Sequence, residues 1–249
     1  MSRQCRRHAI QEDKVMYSQM AIRAEMIATC QRMNSAELNV GSAGNLSVRV
    51  DGGFLITPSG IAYEGMVPEQ IVEMDMEGRY YGDFIPSSEW RFHYDILKAR
   101  PDVDVVLHSH ATHSSILACC RRDIPAIHYM VAVSGGSIIK CSGYAPFGTQ
   151  DLSREALDAL GPRNACLLGN HGVVAVGKTL NEAFGVLSEV ENLARIYIGT
   201  LMLGGGTLLS EPQMDVVLQR FKTYGKQPAE IDPSITERVE PPLYGGACR

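Results

Sequence analysis

The sequence lacks the patterns typical of secreted, membrane and nucleic-acid-binding proteins. Its seven cysteines are an odd number without a CxxC pair, which argues against a disulfide framework and predicts a reduced, cytoplasmic protein. No apolar run reaches the ~18 residues of a membrane span, and no apolar core of a signal peptide follows the basic N-terminus. The formal net charge of -5 leaves no basic excess for nucleic acid, so any phosphate recognition must be local.

What is present is the composition of an ordinary globular protein, with 45% hydrophobic and 20% charged residues in 249. This length is enough for one α/β domain whose core needs no disulfide or metal. We predict a domain over residues 17–225 that follows an N-terminal extension, 1–16. Four prolines between residues 226 and 249 predict a loosely ordered C-terminal tail.

Helical and strand patterns mix without a regular βαβ order. This indicates an α/β chain of the α+β type, a single domain with a central, largely antiparallel sheet flanked by helices. Helical patterns cover Tyr17–Leu38, Ser87–Ala99, Asp151–Leu160, Leu180–Leu203 and Pro212–Tyr224. Strand patterns cover Val103–His110, Ser137–Cys141, Cys166–Leu168 and Val173–Val176, besides short β-branched runs between residues 41 and 78 with a hairpin turn at Asp51-Gly52.

Three histidines lie at or just after the ends of two of these strands. His108 and His110 end an apolar strand, whose period of two points both imidazoles to one face. His171 lies in a GNHG turn between two apolar strands, where it could supply a third imidazole. Three imidazoles with an open fourth position are typical of a catalytic zinc site. His113 is a rival ligand that falls in the following helix, and each histidine alone could be an ordinary polar residue.

Small, donor-rich segments suggest where an anion would bind. Ser87 and Ser88 begin a helical pattern, where free backbone N–H groups suit a phosphate, and the Glu89 carboxylate could reach a metal. The alternative is a plain helix cap followed by a favourable acid. The turns Gly44-Asn45 and Ser59-Gly60 are further candidates, but each is a weak signal alone.

The order of these motifs is far more specific than any one of them. From about Met20 to Gly225 the chain contains, in sequence, GSAGNLSVRV, LITPSGIAYE, PSSEWRFHYDIL, ARPDVDVVLHSHATH, IPAIHYM, FGT and FKTYG. This order and spacing resemble the class II aldolases of the aldolase and adducin family, most closely the L-fuculose-1-phosphate aldolases.

The resemblance implies a role for each matched residue. It implies one zinc ion per subunit, replaceable by manganese or cobalt, on His108, His110 and His171. Glu89 would be the fourth ligand at rest and the acid/base in catalysis. Tyr129 and Tyr224 would serve the aldehyde half of the substrate. Phosphate contacts are implied for Gly44, Asn45, Ser59, Gly60, Ser87 and Ser88, and an apolar wall for Phe147.

The implied activity is reversible cleavage of a ketose 1-phosphate, either L-fuculose 1-phosphate or a 5-deoxypentulose 1-phosphate. The products would be dihydroxyacetone phosphate and a short aldehyde. The expected partners are this sugar phosphate and identical subunits in a homotetramer with sites at its interfaces, with no nucleic acid or membrane. Alternatives are a 5-methylthioribulose-1-phosphate aldolase of a salvage pathway, a sugar-phosphate dehydratase or decarboxylase, and a pentulose-5-phosphate 4-epimerase, which typically has aspartate in place of Glu89. The non-enzyme alternative is an adducin-like binding module without metal ligands.

Overall fold

The computed structural model describes residues 3–225, 227 and 234, with side chains described from residue 19 onward. Within this part the helices are α1 (Arg3–Ser35), α2 (Trp90–Ala99), α3 (Thr112–Cys119), α4 (Gln150–Leu160), α5 (Leu180–Met202) and α6 (Glu211–Phe221). The strands are β1 (Asn45–Val50), β2 (Gly53–Ile56), β3 (Val72–Asp75), β4 (Tyr80–Tyr81), β5 (Val105–Ser109), β6 (Ala165–Leu168) and β7 (Gly172–Gly177). Short 3-10 helices cover Tyr63–Gly65, Pro68–Gln70 and Tyr129–Ser134.

The seven strands form one sheet in the order β4-β3-β2-β1-β5-β7-β6. Every pair of neighbouring strands in it is antiparallel, which confirms the predicted fold class. The β1–β2 hairpin turns at Asp51-Gly52, as predicted, and Gly52 there has a φ of 82°, which glycine adopts without strain. Strand β5, which ends at the histidines, lies in the interior of the sheet between β1 and β7.

Buried residues lie on both faces of this sheet because successive strand side chains point to opposite sides. Val105 and Leu107 pack on the face covered by α1, α3, α5 and α6. Val106 packs on the opposite face, with α2 and α4. His108 continues the Val106 row by the period of two, so its imidazole emerges on the α2 side of the sheet. No helix of the described residues is long and apolar enough to cross a membrane.

Three of the expected elements differ from what forms. Helix α1 begins at Arg3 instead of Tyr17, since residues 1–40 contain neither glycine nor proline to interrupt it. The segment predicted as an N-terminal extension therefore contributes backbone to this helix from residue 3. The expected tail lies outside the described residues, apart from 227 and 234, and the predicted domain boundaries stay a prediction.

Two further differences result from competing hydrogen bonds. The strand predicted at Ser137–Cys141 is reduced to isolated bridges, because Ile139 pairs with Ile124 whereas the Cys141 amide donates to Asp123. Helix α2 begins at Trp90 instead of Ser87, since the Ser87 amide donates to the Thr57 carbonyl and continues an extended chain. Ser87, Ser88 and Glu89 therefore precede the helix rather than forming its first turn.

Arg49 of β1 connects the C-terminal end of α2 to the segment that enters β5. Its guanidinium donates to the carbonyls of Leu97 at 2.6 Å, Arg100 at 3.1 Å and Val103 at 2.7 Å. It also pairs with the Asp104 carboxylate at 3.0 Å. A planar group with five donors is needed to satisfy so many acceptors at once, so this contact holds α2 in register with the sheet.

We expect Arg49→Lys to lower the free energy of unfolding by about 1.5–3 kcal/mol, because an ammonium group cannot reach all of these acceptors. Urea denaturation would measure the change. The matched control is Arg79→Lys, since the largely exposed Arg79 side chain pairs with Asp75 and Glu77 at the surface, where ion pairs contribute little to stability. Equal losses in the two variants would contradict the role given to Arg49.

Candidate active site

Three histidines converge at one end of the central strands of the sheet. His108 ends β5, His110 follows that strand, and His171 lies in the turn between β6 and β7. Their ring centroids are 4.7 to 5.0 Å apart, and the Nε2 atoms of His108 and His110 are 3.1 Å apart. Asn170, with a φ of 56°, turns the backbone just before His171. The three rings could hold a single metal ion.

The Glu89 carboxylate completes this cluster. Its Oε2 lies 3.3 Å from His108 Nε2 and its Oε1 lies 3.2 Å from His171 Nε2. Glu89 immediately precedes α2, yet its side chain does not cap the helix. The carboxylate instead faces the histidines and is only 7% exposed. The Glu89 side chain therefore does not form the plain helix cap that the sequence also allowed.

The donor atoms fit a divalent ion such as zinc. His108 Nδ1 lies 3.0 Å from the Val173 carbonyl and donates to it, which leaves the Nε2 lone pair directed at the cluster. Zinc bonds of 2.0–2.1 Å would place tetrahedral ligands about 3.3 Å apart. His108 Nε2 and His110 Nε2 are 3.1 Å apart, the two Glu89 contacts are 3.3 and 3.2 Å, and the three imidazole ligand atoms all lie within 4.8 Å of one another. The His110 amide is fixed in turn by Asn39 Oδ1 at 3.0 Å.

The protonation states also suit a metal site. Burial lowers the pKa of His108 to about 3 and lowers the pKa of His110 as well. Burial by itself would raise the pKa of Glu89, but the neighbouring imidazoles of His108 and His171 and the hydrogen bond from Asn45 outweigh it and hold that pKa below its usual range. Neutral imidazoles beside an ionised carboxylate are the forms that bind metal.

A cavity of about 400 Å³ opens beside this cluster and is bordered by Glu89, His110 and His171. The small residues expected to bind phosphate all line it: Gly44, Asn45, Ser59, Gly60, Ser87 and Ser88. In the described part of the chain, the Gly60 and Ser88 amides donate no hydrogen bond. Gly44 has a φ of 75°, and a Cβ there would come within 2.6 Å of the His108 carbonyl. The turn can therefore carry only glycine where it approaches β5.

Apolar side chains form another part of the lining. Phe147, predicted as an apolar wall, borders the cavity together with Tyr144, Ala145 and Pro58. Tyr144 and Asn170 were missed by the sequence analysis. The GNHG turn could have indicated Asn170, because asparagine tolerates a positive φ. Tyr144 shows no comparable signal in the sequence.

Three residues considered from the sequence lie elsewhere. Tyr129 begins the 3-10 helix Tyr129–Ser134, and Tyr224 stacks on Phe221 after α6; neither lines the cavity. Both tyrosines are about half exposed, at 45% and 56%. His113, the rival ligand, lies in α3 with its Nδ1 2.7 Å from a Glu191 oxygen, outside the histidine cluster.

Comparison with known proteins gives consistent results. Residues 24–198 match the family described as Class II Aldolase and Adducin N-terminal domain. A 5-methylthioribulose-1-phosphate/5-deoxyribulose-1-phosphate aldolase of Rhodospirillum rubrum is 49% identical over 208 residues, which are 84% of this chain and 94% of that protein. An L-fuculose phosphate aldolase of Escherichia coli K12 is 45% identical over 202 residues, covering 81% and 94%. The solved structure of an L-fuculose 1-phosphate aldolase has a TM-score of 0.79 at 36% identity, covering 81% of this chain and 96% of its own.

We expect His110→Ala to weaken binding of a divalent ion by at least about 100-fold, since lost outer contacts to metal ligands already cost 10–100-fold. Equilibrium dialysis against zinc followed by elemental analysis would measure it. His113→Ala is the matched control and should bind the ion as the unchanged protein does, because the His113 ring pairs with Glu191 outside the cluster. Unaltered binding in His110→Ala would rule out this ligand set.

Proposed function

Because the chain belongs to the class II aldolase and adducin family, we propose that it reversibly cleaves a ketose 1-phosphate into dihydroxyacetone phosphate and a short aldehyde by metal-dependent chemistry. One observation carries the proposal: a buried carboxylate and a cluster of three imidazoles, two of which border the cavity, lie beside free amide donors. An adducin-like binding module has no use for such a donor set. The epimerase alternative is less favoured because position 89 is glutamate.

Zinc is the ion we propose, held by His108, His110 and His171, with Glu89 as a fourth ligand in the resting enzyme. When bound, such an ion would supply Lewis-acid polarisation of the carbonyl and hydroxyl oxygens of the substrate. Imidazole and carboxylate also suit manganese and cobalt, which are the substitutes we expect.

The substrate phosphate would be held by neutral donors. Among the described residues that line the cavity there is no lysine or arginine. The Gly60 and Ser88 amides lack an acceptor in the described part of the chain, and the hydroxyls of Ser59 and Ser87 border the same space. Amide and hydroxyl groups gathered in this way form an anion-binding concavity.

Glu89 is the group we assign to proton transfer at carbon. In the condensation direction, its carboxylate would take one proton from C3 of dihydroxyacetone phosphate. The electron pair left on C3 would form the bond to the aldehyde carbon, and a tyrosine hydroxyl, proposed as that of Tyr129, would give a proton to the aldehyde oxygen. Cleavage follows the same steps in reverse: the O4 proton leaves, the C3–C4 bond breaks and C3 regains a proton.

The position of the two tyrosines supports a homotetramer with sites at subunit interfaces. Tyr129 and Tyr224 are exposed at the edge where α6 packs against the 3-10 helix Tyr129–Ser134, and neither borders the cavity of its own chain. A hydroxyl at this edge would serve the aldehyde half of a substrate only in a neighbouring subunit.

The apolar side of the cavity favours an aldehyde with a hydrophobic end. Phe147, Tyr144 and Ala145 would contact a methyl or methylthio group more favourably than a hydroxyl. Both named relatives act on ketose 1-phosphates of this class. The proposed substrates are therefore 5-methylthioribulose, 5-deoxyribulose and L-fuculose 1-phosphates.

A coupled assay for dihydroxyacetone phosphate, run on these three substrates, tests the proposal. We expect the product from at least one of them, loss of turnover with a chelator, and recovery when zinc is returned. The ranking of kcat/KM would identify the physiological substrate. If none of the three yields dihydroxyacetone phosphate, dehydratase or decarboxylase chemistry replaces the aldolase assignment.

We expect Glu89→Gln to lower kcat by at least about 100-fold, because an amide cannot accept the C3 proton. The variant should keep most of its bound metal, since the three histidines remain. Metal content and kcat would be measured on the same preparation. Turnover near that of the unchanged enzyme would contradict the role of Glu89 as base.

A further inference from the structure

A row of buried polar side chains leads from β1 to Glu89, beyond the four groups of the metal cluster. Ser47 Oγ lies 2.8 Å from His93 Nδ1. His93 Nε2 lies 2.5 Å from Asn45 Oδ1, and Asn45 Nδ2 lies 2.8 Å from Glu89 Oε2. Ser47 and His93 are fully buried, and Asn45 is 5% exposed. Buried polar groups of this kind need defined donors and acceptors.

The chemistry of the groups fixes the direction of every hydrogen bond in this row. An ionised carboxylate can only accept, so Asn45 must turn its NH₂ group to Glu89 and its oxygen to His93. That oxygen can only accept, so the proton of the His93 ring must be on Nε2. Burial lowers the pKa of His93 to about 3, so the ring is neutral and its Nδ1 must accept from the Ser47 hydroxyl.

We propose that His93 is a positioning residue that fixes the Asn45 amide and thereby holds Glu89 Oε2, leaving Oε1 as the oxygen that exchanges the proton with substrate. The inference rests on the proposed aldolase function. It concerns which oxygen acts and what selects it. Asn45 alone would not select it, because an amide can rotate by half a turn and present its oxygen to the carboxylate. The Nε2–H of His93 prevents that rotation.

The free side of the carboxylate is consistent with this assignment. Oε1 is buried and has no hydrogen-bond partner among the described residues, and His171 Nε2 lies 3.2 Å from it. A carboxylate that is held by one oxygen is already oriented toward the reacting carbon, so it loses little rotational freedom during the reaction.

The same row connects the base to the proposed phosphate site. Asn45 Nδ2 carries two protons, and Glu89 takes one of them. Since Asn45 lines the cavity, the second proton is left for a ligand there. His93 would therefore orient one amide for both purposes, so that binding of the phosphate and alignment of the base depend on a single rotamer.

His93→Leu and His93→Gln separate this role from simple packing. Leucine removes the donor to Asn45, whereas glutamine can place an amide N–H near the former Nε2 position. The first readout is exchange of the C3 protons of dihydroxyacetone phosphate for deuterium at saturating substrate and without aldehyde, which reports on proton transfer at C3 apart from the aldehyde step. We expect His93→Leu to slow this exchange and kcat by about 10- to 100-fold, as is typical when outer partners of a site are lost. His93→Gln should recover most of the loss, and both variants should keep their metal.

The second readout needs no activity. Nitrogen NMR of ¹⁵N-histidine-labelled enzyme should show His93 as a neutral Nε2–H tautomer, assigned by the loss of its signals in His93→Gln. A protonated ring, an Nδ1–H tautomer, or exchange at the normal rate in a folded His93→Leu would overturn the inference. Should His93→Leu fail to fold, the tautomer and His93→Gln still decide it. If the unchanged enzyme neither cleaves nor exchanges, the aldolase proposal fails, whereas the tautomer separately tests the hydrogen-bonded row.

Discussion

The candidate site depends on keeping one ionised carboxylate out of water. Transfer of an unpaired carboxylate to a protein interior is strongly unfavourable, so Glu89 can remain charged only if its surroundings supply compensating donors. The Asn45 amide at the start of β1 donates to one oxygen, and the imidazoles of His108 at the end of β5 and His171 in the β6–β7 turn lie 3.3 and 3.2 Å from the carboxylate. The geometry of the cluster is therefore a requirement of the fold as well as of the chemistry, and a bound cation would complete the compensation.

The antiparallel sheet is what allows these parts to meet. Strand β5 pairs with β1 on one side and β7 on the other, so that Asn45 and Val174 are both direct partners of His108. The turn before β7 then brings His171 beside the end of β5. Glu89 arrives from the other direction, on the extended segment that precedes α2 and pairs with the chain after β2. In this way Asn45, Glu89, His108 and His171, which are distant in sequence, come together at one site.

Sequence reasoning succeeded where a signal was local. The period of two placed His108 and His110 together, and the glycine-flanked turn singled out His171. The strand predicted at Ser137–Cys141 does not form because the Cys141 amide donates to the carboxylate of Asp123 instead of to a strand partner. Asn39 and His93 could not be found in this way, since one supports the backbone of His110 across 71 residues and the other contacts Asn45 across 48. In sequence, His93 is simply a polar residue within a helix, and only tertiary packing gives it a defined tautomer.

The amide donors on the phosphate side of the cavity have a consequence for how such an enzyme can change over time. Main-chain N–H groups belong to every residue except proline, so most point mutations at Ser88 leave the donor in place. The apolar side is built from the side chains of Phe147 and Tyr144, which a single mutation can enlarge, shrink or make polar. Under the proposed function, mutation would therefore affect the two ends of the ligand unequally: the phosphate contact would tolerate most changes, and the aldehyde end is where new substrates could be acquired.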